Sequence, residues 1–333
     1  MGLGRALLWL IGREPDLVVE EESSVYLFKQ APSKFLYTPK TIEEYIGQSI
    51  AKENVGYTIK KIESGRIGHI LITGQAGHGK TVLANIIANT LNAKISFTMA
   101  GTFDVYVLQK FLLDNEKDRN NLHILFIDEI HAIDKITAEK YLYSLMTDFM
   151  LPTDGTKVKP FIIIGATTDE FILIKKMKPF FDRFSTKINL ENYNIEDIKK
   201  ILIQYNNQVY KENITDNTFS LLAENSRNTP RCAIGLLDLF IVAKDMNAVL
   251  RCNRIIKKSL TDIDVKVLNH LEEINKPIGE ETLAIIAGME RNNYKYLVAP
   301  FLIAQGYLSK TARGQLITNQ GRQILKEINE KLI

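Results

Sequence analysis

The feature that most restricts this chain is the octapeptide Gly74-Gln75-Ala76-Gly77-His78-Gly79-Lys80-Thr81. It fits G-x-x-x-x-G-K-[ST] and follows directly on the apolar run Ile70-Leu71-Ile72. The glycines of such a loop let backbone N–H groups wrap phosphates, and the helix N-terminus behind it adds positive potential. Lys80 would reach the β and γ phosphates, and the Thr81 hydroxyl would ligate Mg²⁺. A helical pattern from Val82 to Leu91 supplies the second half of the strand–loop–helix context. Gly74, Gly77, His78, Gly79, Lys80, Thr81 and Val82 are therefore expected to bind ATP, with Mg²⁺ as its companion ion. A glycine turn of purely structural meaning is the competing reading, and the flanking strand and helix count against it.

Two further apolar runs, Ile124-Leu125-Phe126-Ile127 and Phe161-Ile162-Ile163-Ile164, show no alternation with polar residues. Strands buried on both faces of a parallel sheet need that pattern. Helix-like stretches such as Val82 to Leu91 and Thr137 to Met146 separate the runs, which predicts an α/β fold with a parallel sheet covered on both sides. The second run, taken as the neighbour of the phosphate-loop strand, closes on Asp128-Glu129, at the strand end where such sheets bind ligands. Asp128 is expected to hold Mg²⁺ through its water shell and Glu129 to polarise the attacking water; in isolation, helix capping would explain the pair equally well. The third run ends in Gly165-Ala166-Thr167-Thr168, where the Thr168 hydroxyl either reports on the γ-phosphate or caps the next segment.

Beyond Leu190 the strand signal fades. Asn194 to Tyr210, Thr215 to Asn225 and Pro230 to Met246 read as helices, with Asn194 and Thr215 at N-cap positions and Pro230 in a first turn. From Thr261 the order becomes a helix to Ile274, a helix from Gly279 to Gly288, a helix from Asn292 to Gln305, and a hairpin around Ala312-Arg313-Gly314. Three helices and a hairpin is the winged-helix order, a relative of helix-turn-helix.

A chain of 333 residues exceeds what one core accommodates, and 45% hydrophobic with 24% charged residues excludes disorder. The formal charge of +3 is too small to argue for nucleic acid over the whole chain. Locally it is otherwise: Arg291, Lys295, Lys310, Arg313, Arg322 and Lys326 fall in a stretch without one Asp or Glu. Lys310 and Arg313, on the wing, are the expected contacts to DNA phosphates, without base readout; a wing used for protein packing is the alternative. Cys232 and Cys252 are the only cysteines, which favours a reducing, cytoplasmic setting. The apolar run Ala6 to Gly12 is too short to span a membrane and reads with Leu3 as one or two turns of amphipathic helix. The five histidines have no paired metal spacing, so bound zinc is not expected.

Tyr45-Ile46-Gly47-Gln48, the phosphate loop, Ala84 to Asn89, Asp128-Glu129-Ile130-His131, Gly165 to Thr168, Asp182-Arg183-Phe184 and Thr229-Pro230-Arg231 together resemble the RuvB family of AAA+ ATPases. That family is a Holliday-junction branch-migration motor acting in DNA recombination and repair. The likeness continues through Pro300 to Leu308 and Lys310 to Gly314, and covers roughly Pro39 to Leu325. It implies an N-terminal extension over 1–35, an AAA+ P-loop ATPase domain over 36–190, a small all-helical lid over 191–260 and a winged-helix DNA-binding domain over 261–333.

The resemblance further implies that Thr168 is the sensor-1 residue and that Arg231 faces the γ-phosphate from the lid. Arg183 would be the finger that completes a neighbouring subunit's site, which makes the working form a ring, by family a hexamer. Tyr45, Ile46, Tyr193 and Pro230 would line the adenine pocket. Taken alone, Arg183 could pair with Asp182 or cap a helix, and Arg231 could be a surface charge. Where the family carries a long β-hairpin that meets its partner RuvA, only Met150 to Lys159 is available. That length counts against a RuvA-like partner and motivates a second reading, an AAA+ remodeller or loader acting on a protein with DNA as an anchor.

Overall fold

The computed structural model describes residues 37–330, so the helix expected near Leu3 to Ile11 lies outside the described residues. Internal contacts divide the chain into two units, with the break after Tyr193.

The first unit is built on a five-stranded parallel sheet in the order β2-β3-β4-β1-β5. The strands are β1 (Ile70–Thr73), β2 (Lys94–Met99), β3 (His123–Asp128), β4 (Ile162–Thr167) and β5 (Thr186–Asn189). The three expected strands are the buried central ones. Alternate side chains feed two cores: Ile70, Ile72, Ile124, Phe126, Ile162 and Ile164 face one side, and Leu71, Leu125, Ile127 and Ile163 the other. Each such side chain contributes about 1.5–3 kcal/mol by leaving water, so continuous apolar runs at these positions are what the sheet requires. One expectation is corrected: β4, not β3, lies beside β1. Thr73 pairs with Thr167 and Ile127 with Gly165, so the ends of β1, β4 and β3 come out along one edge in that order.

The helices of this unit are α1 (Ser49–Glu63), α2 (Lys80–Thr90), α3 (Val105–Lys117), α4 (Tyr143–Asp148) and α5 (Glu170–Asp182). The helix expected over Thr137 to Met146 is not continuous: Lys135–Thr137 passes into a π-helical turn, Ala138–Leu142, before α4. Phe149, at φ 53°, then reverses the chain into a tight turn closed by a Met150–Lys157 bridge. This is the short turn expected for Met150 to Lys159.

The second unit opens with four helices, α6 (Ile195–Gln208), α7 (Asp216–Glu224), α8 (Pro230–Ala243) and α9 (Met246–Cys252). Asn194 and Thr215 cap α6 and α7, accepting from the Asp197 and Thr218 N–H groups, as expected for those residue types. A short antiparallel pair, β6 (Ile255–Lys257) and β7 (Leu260–Thr261), leads to α10 (Asp262–Ile274) and α11 (Glu280–Ala287). The third helix of the winged-helix order is broken into Arg291–Asn293, a π-helical turn at Tyr294–Val298 and α12 (Ala299–Ala304). Pro300 explains the break, since it can neither donate an N–H nor tolerate the carbonyl four residues earlier. The wing is β8 (Leu308–Thr311) with β9 (Gly314–Ile317), followed by α13 (Asn319–Asn329).

Arg227 joins the helical part of this unit to the winged helix. Its guanidinium pairs with Asp264, donates to the Leu297 carbonyl at 3.1 Å and lies 4.5 Å from the Phe301 ring centre. Asp264 is fully buried and also accepts from the N–H and hydroxyl of Thr261 at 2.8 and 2.7 Å.

Candidate active site

The phosphate loop leaves β1 at Gly74 and enters α2 at Lys80. Gly74, Gly77 and Gly79 have φ values of 151°, 82° and 95°. All three lie in the left-handed region that glycine enters without cost, which is why the loop needs that residue there. At Gly74 the need is also steric: a Cβ would stand 2.9 Å from the Leu190 Cβ. Lys80 is buried, and its ammonium donates to the Gly74 and Gln75 carbonyls at 2.8 and 3.1 Å. The cation is thus held against the loop whose concave side would receive phosphate oxygens.

Across the sheet edge, Glu129 follows β3 in a left-handed conformation, φ 48°. Its N–H donates to the Asp128 carboxylate at 2.9 Å. Thr168, one residue past β4, donates its hydroxyl to Glu129 Oε2 at 3.1 Å. The residue expected to sense the γ-phosphate and the one expected to activate water therefore touch, because β4 brings Thr168 between the phosphate loop and the acidic pair. His131 was not anticipated: its Nδ1 lies 2.8 Å from Thr167 Oγ1 and 3.3 Å from Glu129 Oε2. In the sequence it figures only as the last residue of the Asp128-Glu129-Ile130-His131 motif, with no role given to it. The Thr81 hydroxyl and the Asp128 carboxylate are hard oxygen donors of the kind Mg²⁺ takes.

On the far side of the loop, the buried Tyr45 and Tyr193 both donate their hydroxyls to the His78 carbonyl, at 3.3 and 3.4 Å. Burial, then the neighbouring Tyr193, pushes the Tyr45 phenol well above its usual range. The His78 imidazole meets the Tyr193 ring edge-on at 5.8 Å, and burial followed by the Lys80 charge pushes its pKa down to about 4. Ile46 is half-buried beside Tyr45 in the sequence. Gln48, quoted only as part of the Tyr45 motif, pairs both backbone groups of Glu191 at 2.8 and 2.9 Å and so ties the segment before α1 to the strap after β5.

Comparison with known proteins meets this geometry at both ends of the chain. The family model described as Holliday junction DNA helicase RuvB P-loop domain matches residues 37–190, and that of the RuvB C-terminal winged helix domain matches 257–326. The chain belongs to the RuvB family. A Mycoplasma genitalium relative, the Holliday junction branch migration complex subunit RuvB, is 32% identical over 307 residues, covering 86% of this chain and 97% of its own. The protein of the same name from Staphylococcus haemolyticus is 32% identical, covering 88% and 93%. Among solved structures, the Thermotoga maritima RuvB Holliday junction branch migration motor superposes with a TM-score of 0.72 at 29% identity, covering 86% of this chain and 97% of that one. An Aeropyrum pernix ORC2 structure, at 14% identity and a TM-score of 0.55, shares the fold alone.

The arginines that the RuvB resemblance singles out sit differently. Arg183 caps the C-terminus of α5, so one alternative reading of it is realised, while no ion pair with Asp182 forms. Its guanidinium lies 4.1 Å from the Tyr143 ring centre and donates to the Tyr143 carbonyl, the Thr147 hydroxyl and the Pro179 carbonyl at 3.3, 3.1 and 2.6 Å. It is half-buried, with no carboxylate partner among the described residues. Pro230 and the exposed Arg231 form the first turn of α8, in the second unit.

On the wing the acid-free reading of the sequence needs correction. Ile278 pairs with Gln315, which draws the start of α11 under the wing. Glu280 then meets Lys310 at 2.9 Å, Glu281 meets Arg291 at 2.7 Å, and Glu272 of α10 meets Arg322 at 2.5 Å. Lys310, expected to contact DNA, thus shares its charge with a carboxylate 30 residues away in sequence. Arg313 is exposed at the hairpin tip and has no carboxylate partner among the described residues. The same holds for Lys295 and Lys326. Among the described residues no helix is long and apolar enough to cross a membrane.

Proposed function

We propose that this chain is an ATP-hydrolysing ring motor of the RuvB type, translocating duplex DNA and driving branch migration of DNA junctions. The observation that carries the reading is the 3.1 Å contact between Thr168 and Glu129 at the edge shared with the phosphate loop. It joins the sensing hydroxyl to the general base in a chain that matches the family through both its ATPase and its winged-helix parts. Lys80 and the N–H groups of Gly77, Gly79 and Thr81 bind the phosphates, and Thr168 reads the last of them. Tyr45, Ile46, Tyr193 and Pro230 take the adenine. Thr81, and Asp128 through water, would hold Mg²⁺, which would supply charge neutralisation for phosphoryl transfer. Glu129 accepts the proton of the attacking water.

Arg231 meets the γ-phosphate from the lid, and Arg183 reaches the nucleotide of the next subunit in a ring of six. To do so it must exchange acceptors, since three oxygen atoms of its own subunit now hold it. Such an exchange would make turnover depend on assembly, because the finger gives up local contacts only for a neighbour's phosphate charge. The wing follows the DNA backbone through Arg313, with Lys310 partly neutralised by Glu280.

The remodeller reading rests on the short turn after Phe149, and no observation favours it. The doubt about a RuvA-like partner drawn from the same turn finds no support in the likeness to RuvB relatives and is not carried further. The test is ATP turnover on linear and four-way DNA together with strand movement in a labelled junction. Junction-stimulated turnover with strand exchange supports the proposal; robust hydrolysis without DNA binding at low salt overturns it.

A further inference from the structure

The carboxylate of Glu129 is held by one oxygen. Oε2 accepts from Thr168 and lies 3.3 Å from His131 Nδ1, while Oε1 has no hydrogen bond or ion pair among the described residues. Glu129 sits in a left-handed backbone position after the strand has ended, so neither sheet nor helix orients its side chain. Polar contacts must do so.

His131 enters from the 3₁₀ turn Ile130–Ala132 and is anchored at its other contact by Thr167, the last residue of β4. Thr167 is fully buried, and its hydroxyl oxygen also accepts from the Asp169 N–H at 3.0 Å. His131 Nδ1 thus faces a carboxylate oxygen and a hydroxyl oxygen together. A lone pair on this nitrogen would oppose the charge on Oε2 with no proton between them; an N–H there is shared by both oxygens.

We infer that His131, as the Nδ1–H tautomer, is a positioning residue for ATP turnover. It fixes Oε2 of Glu129 and leaves Oε1 to take the proton of the attacking water. The inference rests on the reading of Glu129 as general base. It also gives Thr168 freedom: when that hydroxyl turns to a γ-phosphate, His131 keeps its hold on the carboxylate.

The choice of nitrogen makes a sharp test. The amide nitrogen of Asn falls near the place of Nδ1, and that of Gln near Nε2. Full-length His131→Ala, His131→Gln and His131→Asn are compared by steady-state ATP turnover and by binding of a fluorescent ATP analogue. The Ala and Gln variants should lose about 10- to 100-fold in kcat, with KM and analogue binding within about twofold of the parent. His131→Asn should stay within about threefold. Equal loss in the Asn and Gln variants, or an unaltered kcat in His131→Ala, overturns the inference.

Since a change in this turn can also loosen the fold, His131→Ala is repeated in a Glu129→Gln background. There it should alter the residual rate by less than about twofold, because it acts through Glu129. A full loss in that background overturns the inference. A wild-type chain without turnover rejects the parent reading as well, whereas turnover that ignores His131→Ala rejects only this one.

Discussion

Arg227→Ala is the substitution whose cost can be worked most directly from the structure. Asp264 has no exposed surface, and among the described residues the guanidinium is the only cation paired with it. Removing one partner of a buried pair costs about 3–5 kcal/mol, because a charge is left without compensation. Thr261 still supplies two donors at 2.8 and 2.7 Å, which places the loss near the lower end, about 3 kcal/mol. The contact with the Phe301 ring at 4.5 Å adds about 0.5–1 kcal/mol. The sum, between about 3.5 and 4 kcal/mol, corresponds to nearly three orders of magnitude in an opening equilibrium. Hydrogen exchange of the α10 and α12 amides in the full chain measures it. Arg227→Gly should lose about 1 kcal/mol less, because the residue sits at φ 53°, where a Cβ is strained. Acceleration of less than about tenfold in Arg227→Ala would show that the buried Asp264 does not depend on the guanidinium.

Three further outcomes follow from single contacts. Gly74→Ala should abolish ATP binding, since its Cβ would meet the Leu190 Cβ at 2.9 Å in a backbone conformation that L residues avoid; an unchanged affinity for an ATP analogue contradicts this. Lys310 holds the Glu280 carboxyl below its usual range, so Glu280→Gln should release Lys310 to DNA. The slope of log affinity against log salt should then steepen by about 1 in an anisotropy titration, and an unaltered slope argues that the wing does not follow the backbone. Burial pushes the His69 imidazole down to about 4, its ring accepting from the Ile163 N–H and bonded to the Met146 carbonyl. Below pH 6.5 the unfolded chain binds a proton that the folded chain refuses. Stability should therefore fall by about 1.4 kcal/mol per pH unit from 6.5 towards 4 and level off below, about 3 kcal/mol in all. His69→Gln should flatten this window in urea titrations; parallel curves for the two proteins would contradict it.

What the sequence made legible was set by burial. β1, β3 and β4 announce themselves because both faces are covered and every position is apolar. β2 and β5 stand at the edges, so Lys94-Ile95-Ser96-Phe97-Thr98-Met99 and Thr186-Lys187-Ile188-Asn189 mix exposed and buried positions and carry no such signal. Helix α13 also went unread, although Ile324, Leu325 and Ile328 are buried along one face of it. The phosphate loop was fully legible, since its chemistry fixes residue types at fixed spacing. His131 and Gln48 were not, because their roles depend on β4 and on the Glu191 strap meeting them in space. The wing's charge was misread for the same reason: Glu272, Glu280 and Glu281 lie outside the acid-free stretch and fold back onto it.

If, as proposed, a guanidinium from one copy completes the nucleotide site of the next, two defective chains should restore each other's activity when mixed. Arg183→Ala keeps an intact site but offers its neighbour no finger; Glu129→Gln keeps the finger but cannot activate water. Each alone should hydrolyse almost no ATP in the presence of junction DNA. In an equal mixture half the sites are intact and half of their neighbours carry Arg183, so activity should return to about one quarter of the wild-type rate. A mixture no more active than either variant alone would show that Arg183 does not act on a neighbour's nucleotide.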